Sequence, residues 1–127
     1  RMFFATAFGM VKLVEGSEFE VSKRTTTATK LAEGDKVVFV QPADEKEYVV
    51  LQTKEGYFLR FMKTEVPLKK KAALGVRGIT LGAKDEVEHA YLLENRTDYT
   101  ADYKGKSVSL NRLKLAKRDG KGTKTRV

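Results

Sequence analysis

The stretch Tyr48-Val49-Val50-Leu51-Gln52-Thr53-Lys54-Glu55-Gly56-Tyr57-Phe58-Leu59-Arg60-Phe61 decides the fold class. Its first half is rich in β-branched, aliphatic and aromatic side chains, which fit the pleated surface of a strand. Lys54-Glu55-Gly56 interrupts the run, and Tyr57 to Phe61 resumes it. Gly56 falls where a tight hairpin needs unusual backbone dihedrals. Met2 to Thr6, Gly9 and Met10 to Val14 repeat this arrangement, and Tyr103-Lys104-Gly105-Lys106-Ser107-Val108 is a third version. Gly75-Val76-Arg77-Gly78-Ile79-Thr80-Leu81 reads as another strand entered through glycines. Val37 to Val40 and Val87 to Leu93 each close a copy. Glu65 to Leu74 has some helical spacing, but Pro67 sits inside it. The reading is all-β.

The hairpins belong to a repeat. Thr6-Ala7-Phe8-Gly9 lies over Thr53-Lys54-Glu55-Gly56 at an offset of 47, and Ser22-Lys23-Arg24 then falls on Lys69-Lys70-Lys71. After a three-residue insertion, Leu31, Asp35 and Val37 match Leu81, Asp85 and Val87. Leu68, Lys70, Lys71 and Gly75 lie over Leu115, Lys117, Arg118 and Gly122, again at 47. Four short strands per unit of this length describe a propeller-like blade. The expected organisation is one domain fragment, with blade-like repeats at 1–47 and 48–94 and a partial basic repeat at 95–127. Two to three blades form an open arc, since so few cannot close a ring. Uncovered blade faces and an unpaired strand edge would favour self-association of the fragment or lower its stability.

The composition of the 127 residues narrows the function. Apolar residues make up 41%, too many for a disordered tail. With no Cys and one His, disulfides, thiolate chemistry and His-rich metal centres are excluded. No apolar run reaches a bilayer-spanning length and no signal peptide is visible, so no membrane role is expected. His89, on an apolar-leaning strand, reads as a packed or surface residue. Asp35 and Asp85 recur once per repeat, which suits a turn-capping or strand-end role better than a catalytic dyad. Phe3, Phe39, Tyr48, Phe58 and Phe61 read as core. No catalytic residue, metal or cofactor is expected.

The charge is unevenly placed. Repeats 1–47, 48–94 and 95–127 carry −1, +2 and +7 of the net +8. Basic clusters recur in register at Lys23-Arg24, Lys69-Lys70-Lys71 and Lys117-Arg118, and Lys121, Lys124 and Arg126 extend the last. Stacked blades would carry these clusters, with Arg77, along one rim. A curved basic stripe suits the regular phosphates of duplex DNA, without reading bases.

The pattern Thr53…Gly56…Arg60, the basic spacer, Gly75-Val76-Arg77-Gly78-Ile79-Thr80-Leu81 and Asp85-Glu86-Val87 resembles the repeat of the C-terminal DNA-wrapping domain of type IIA topoisomerase A subunits, those of DNA gyrase and topoisomerase IV. The resemblance implies a β-pinwheel, a propeller variant whose neighbouring blades exchange strands and whose rim bends DNA. It also implies an ATP-dependent isomerase whose active sites lie in other segments. Its partners would be the remainder of the topoisomerase A polypeptide and a separate ATPase subunit, and its place the bacterial cytoplasm, with the nucleoid. In gyrase one repeat carries the heptad Q-R-R-G-G-K-G. The nearest stretch is Ala116-Lys117-Arg118-Asp119-Gly120-Lys121-Gly122. Arg118, Gly120, Lys121 and Gly122 match, Lys117 is conservative, and Ala116 and Asp119 depart. Gyrase and topoisomerase IV both stay open. A basic propeller-type protein-interaction module is the alternative to DNA binding. An RNA-binding β domain is weaker, for want of a stacking aromatic pair.

Overall fold

The computed structural model describes residues 1–16, 32–70, 73–94 and 98–125. Its regular elements are strands, with two single-turn 3-10 segments at Lys63–Glu65 and Leu110–Arg112. The first sheet holds β1 (Met2–Thr6), β2 (Met10–Val14), β3 (Val37–Pro42) and β6 (Val76–Arg77), in the order β3-β1-β2-β6. The second holds β4 (Tyr48–Thr53), β5 (Tyr57–Met62), β7 (Val87–Leu93) and β10 (Thr123–Lys124), in the order β10-β5-β4-β7. β8 (Thr100–Tyr103) and β9 (Lys106–Ser109) form a separate hairpin.

Each four-stranded sheet therefore takes its outer strand from further along the chain. β6 pairs with β2 through Met10↔Arg77 and Val11↔Val76, and β10 pairs with β5 through Tyr57↔Lys124 and Phe58↔Thr123. The two pairings are identical at the 47-residue offset. The stretch read as a strand from Gly75 to Leu81 is regular only at Val76–Arg77. Beyond it, the Gly78 N–H donates to the Gly9 carbonyl (2.7 Å), and Ile79 turns inward to become fully buried.

The hairpins of the two large sheets, β1–β2 and β4–β5, are fastened the same way. Thr6 Oγ1 accepts from the Met10 N–H at 3.1 Å, and Thr53 Oγ1 accepts from the Tyr57 N–H at 3.0 Å. Gly9 and Gly56 adopt φ of 85° and 94°, which explains the Thr-x-x-Gly spacing. Asp35 Oδ1 accepts from the Phe8 and Lys36 N–H groups, and Asp85 Oδ1 accepts from those of Glu55 and Glu86. The two aspartates thus cap turns, one of the two roles that their recurrence suggested. Replacing Asp85 with Ala leaves two amides short of an acceptor and is expected to cost about 1–2 kcal/mol of stability. A urea titration monitored by tyrosine fluorescence checks this.

The core lies between layers. Phe3, Leu13, Val49, Leu51, Phe61 and Ile79 pack between the two large sheets. Val50, Phe58, Leu93, Tyr103 and Leu110 pack on the far side of the second sheet, against the β8–β9 hairpin. The second sheet is apolar on both faces, which is why β4 reads as a continuous hydrophobic run and not an alternating one. Of the aromatics expected in the core, Phe3, Phe58 and Phe61 are buried, while Phe39 and Tyr48 are partly buried against it. His89 is exposed on β7.

Candidate nucleic-acid interface

The strand exchanges create two equivalent corners. After the 3-10 turn at Lys63–Glu65, the chain runs beside β2, where Leu68 forms a parallel bridge with Leu13. The Leu13 N–H donates to the Pro67 carbonyl, and the Lys69 N–H to the Leu13 carbonyl. After Leu110–Arg112, Leu115 bridges Arg60 in the same manner, and the Ala116 N–H donates to the Arg60 carbonyl at 2.8 Å. Lys70 and Lys117 leave these bridges as exposed, equivalent cations. Arg77 on β6 and Lys124 on β10 form a second equivalent pair, and both are exposed. Lys69 is partly buried. Lys23, Arg24, Lys71 and Arg126 lie outside the described residues.

The second corner concentrates charge. A groove of about 460 Å³ beside the start of β5 is lined by Lys114, Lys117, Arg118 and Lys121, with Asp119 among them. Lys121 and Lys124 stand over the Tyr57 ring, with Nζ 5.6 and 5.9 Å from its centroid. Tyr57 thereby holds two cations on one side of β5. Lys114 and Tyr57 were not singled out from the sequence. The register does point to Tyr57, because it pairs directly with Lys124.

Two of the expected contact residues have internal partners. The Arg118 Nε donates to the Glu65 carbonyl (2.9 Å), its Nη1 donates to the Arg77 carbonyl (2.7 Å), and its N–H donates to Glu65 Oε1 (2.9 Å). Arg118 thus fastens one corner to the other. Arg77 forks onto Asp119, with Nη2 at 3.1 Å from Oδ2 and Nε bonded to Oδ1. Asp119 sits at φ 72°, a conformation that Asp tolerates better than most residues. The neighbouring guanidinium holds its carboxyl below the usual carboxylate range. A depressed pKa means that the pair stabilises the fold above the unfolded-state pKa and that this contribution is lost on acidification. Both partners are open to solvent, so the contribution is small.

Gly75 and Gly122 explain how the exchanged strands come so close. A Cβ on Gly75 would lie 2.4 Å from the Val11 carbonyl oxygen, and one on Gly122 would lie 2.6 Å from that of Phe58. Gly122 therefore has a structural role within the 116–122 heptad. Lys12 is buried and donates from Nζ to the Ala73 carbonyl at 2.7 Å. No group of three or more His, Cys, Asp or Glu placed to hold a metal ion occurs among the described residues, nor any helix long and apolar enough to cross a membrane.

A family model described as DNA gyrase C-terminal domain, beta-propeller, matches residues 1–44 and 47–94. The chain belongs to this family. The DNA gyrase A protein of Lawsonia intracellularis (strain PHE/MN1-00) is 33% identical to it over 126 residues, spanning 94% of the chain and 15% of that protein. The crystal structure of the C-terminal domain of DNA topoisomerase IV superposes with a TM-score of 0.82 at 27% identity, over 97% of this chain and 40% of that one. The DNA gyrase A C-terminal domain superposes with a TM-score of 0.80 at 20% identity, over 96% and 42%, a likeness of fold alone. The exchanged strands β6 and β10 are the gyrase-domain pinwheel arrangement that the resemblance implied. As a member of the gyrase C-terminal-domain family, the chain spans only a small part of the gyrase proteins it matches.

The division of labour within the basic corner can be measured. Arg118→Ala removes two side-chain hydrogen bonds from a charged donor and is expected to cost about 1–3 kcal/mol. Lys117→Ala, at an exposed position, should change stability by less than about 0.5 kcal/mol. Thermal unfolding of the two variants checks the contrast.

Proposed function

We propose that the chain binds duplex DNA without sequence preference and bends it along the rim marked by Lys69, Lys70, Lys117, Lys121 and Lys124. In this reading it is the wrapping part of the A polypeptide of a type IIA topoisomerase. The observation that carries the proposal is the recurrence of exposed cations at equivalent corners, Lys70 with Lys117, which Lys121 and Lys124 extend at the second corner. Phosphates recur along a duplex, so cations recurring along a stack of blades can follow one bent backbone. The elastic cost of bending, of order a few kcal/mol, is offset by the added contacts. Lys23, Arg24, Lys71 and Arg126 would extend the same path.

The repeats at 1–47, 48–94 and 95–127 act as successive blades in this reading. The chain has no catalytic part of its own. Strand passage and ATP use belong to other segments of the A polypeptide and to its ATPase partner, in the bacterial cytoplasm. Among the described residues the β8–β9 hairpin pairs with no further strand, and such open edges support self-association of the isolated chain.

Fluorescence anisotropy with a labelled duplex at several salt concentrations tests the proposal. If about four to six phosphates are neutralised, log K falls against log salt with a slope near −4 to −5, whatever the sequence. A protein-interaction module would leave the anisotropy unchanged at low salt.

A further inference from the structure

We infer that Asp119 occupies, within the chain itself, a phosphate seat formed by Arg77 and Thr80, and so holds DNA affinity below what the cations of this corner could supply. The inference rests on the DNA-binding reading above. Four observations carry it. The Arg77 guanidinium presents two N–H groups to the Asp119 carboxylate, the two-point geometry with which arginine also takes a phosphate. Thr80 Oγ1 lies 3.2 Å from the same Oδ1 and 2.8 Å from the Asp119 carbonyl, which adds a hydroxyl to the seat. The seat faces water, since the Arg77 side chain is 63% exposed. Among the described residues, Asp119 is also the one acid lining a groove that contains Lys114, Lys117, Arg118 and Lys121.

The turn that carries Asp119 is fixed without its carboxylate. Its N–H donates to the Gly78 carbonyl at 2.8 Å, and the Thr80 N–H donates to the Gly120 carbonyl at 2.9 Å. Arg118 secures the same turn from the other side. The carboxylate can therefore be removed while its surroundings stay in place. An exposed ion pair adds little to stability, so its main effect falls on whatever anion competes for Arg77. A DNA phosphate must displace Asp119 to reach the Nε–Nη2 edge of this guanidinium. The contact at Arg77 is then lost or weakened, although its equivalent on the next blade, Lys124, makes no ion pair with an acid among the described residues.

The test uses the 127-residue chain, a labelled duplex and anisotropy titrations from about 0.05 to 0.3 M salt. Asp119→Asn and Asp119→Gly both suit the positive φ. Each is expected to tighten binding about fivefold to tenfold at 0.1 M salt and to steepen the log–log slope by about one. Glu88→Gln removes the same charge from exposed β7, at the opposite edge of the second sheet from β10. It should tighten binding by less than about twofold, through the diffuse field alone. Arg77→Gln should change little in the parent chain, yet abolish most of the gain in the Asp119→Asn background. Equal gains from Asp119→Asn and Glu88→Gln, or a gain that survives Arg77→Gln, would overturn the seat. DNA binding by the parent chain with no gain from either Asp119 variant would overturn it and leave the DNA reading intact. No binding by any variant would overturn both.

Discussion

Replacing Lys117, Lys121 and Lys124 together with Ala is expected to weaken duplex binding by about two to three orders of magnitude at 0.1 M salt and to flatten the salt slope by about 2.7. All three are exposed, and none shares an ion pair with an acid among the described residues. Their removal therefore takes away phosphate contacts without opening the core. The comparison is a triple substitution of Lys36, Lys46 and Lys54. It removes the same charge away from the rim, and one member, Lys46, already pairs with Glu94 at 2.9 Å. This second variant should lose about tenfold or less, because long-range charge is screened beyond about 10 Å at 0.1 M salt. Anisotropy titrations of both, at no fewer than three salt concentrations, give affinity and slope together. Equal losses would mean that the cations act as a diffuse cloud. Arg118 is left out because its loss would confuse folding with binding.

The second large effect is on stability. Gly75→Ala places a Cβ 2.4 Å from the Val11 carbonyl oxygen and 2.9 Å from its carbon. Both obstacles are backbone within a buried strand, so neither can swing aside. β6 must move off β2, and Ile79, four residues on and fully buried, is drawn with it. A loss of about 2–4 kcal/mol is expected, which lowers the melting temperature by about 10 °C. Gly122→Ala makes the equivalent clash with Phe58 at 2.6 Å. There the chain can release β10 alone, which among the described residues is held by the pairing of Thr123 and Lys124 and by the Thr125 N–H donating to the Gly56 carbonyl at 2.8 Å. It should melt close to the parent protein yet bind DNA more weakly, because Lys124 and the 116–122 turn lose their seat. Differential scanning calorimetry with anisotropy on the same samples separates the two. If Gly75→Ala melts like the parent, the close approach of β6 to β2 is wrong.

Much of the fold was legible because its determinants are local. A Thr whose hydroxyl accepts from the amide four residues on, and a Gly at positive φ, write the β1–β2 and β4–β5 hairpins into a few adjacent residues. The repeat made Asp35 and Asp85 readable as turn caps, although their bonds reach across 27 and 30 residues. What stayed hidden depends on distant partners. The strand at Val76–Arg77 was read from its flanking glycines but not its pairing with β2, and Thr123–Lys124, too short for a periodicity of its own, exists because β5 offers it an edge. A basic residue in a cluster looks the same whether it faces solvent or ties two loops together. Only the geometry separates Lys117, exposed, from Arg118, bonded to Glu65 and Arg77. Asp119, read from the sequence as a mismatch in a heptad, finds its partner 42 residues away.

Energy transfer between dyes on the two ends of a duplex of about 40 base pairs measures bending directly. Added protein should bring the ends closer in parallel with the rise in anisotropy, and both changes should reverse as salt is raised, since phosphate contacts supply the bending energy. The Lys117, Lys121 and Lys124 triple variant should need far more protein for the same transfer. Saturated binding with no change in end-to-end transfer would contradict a rim that bends DNA.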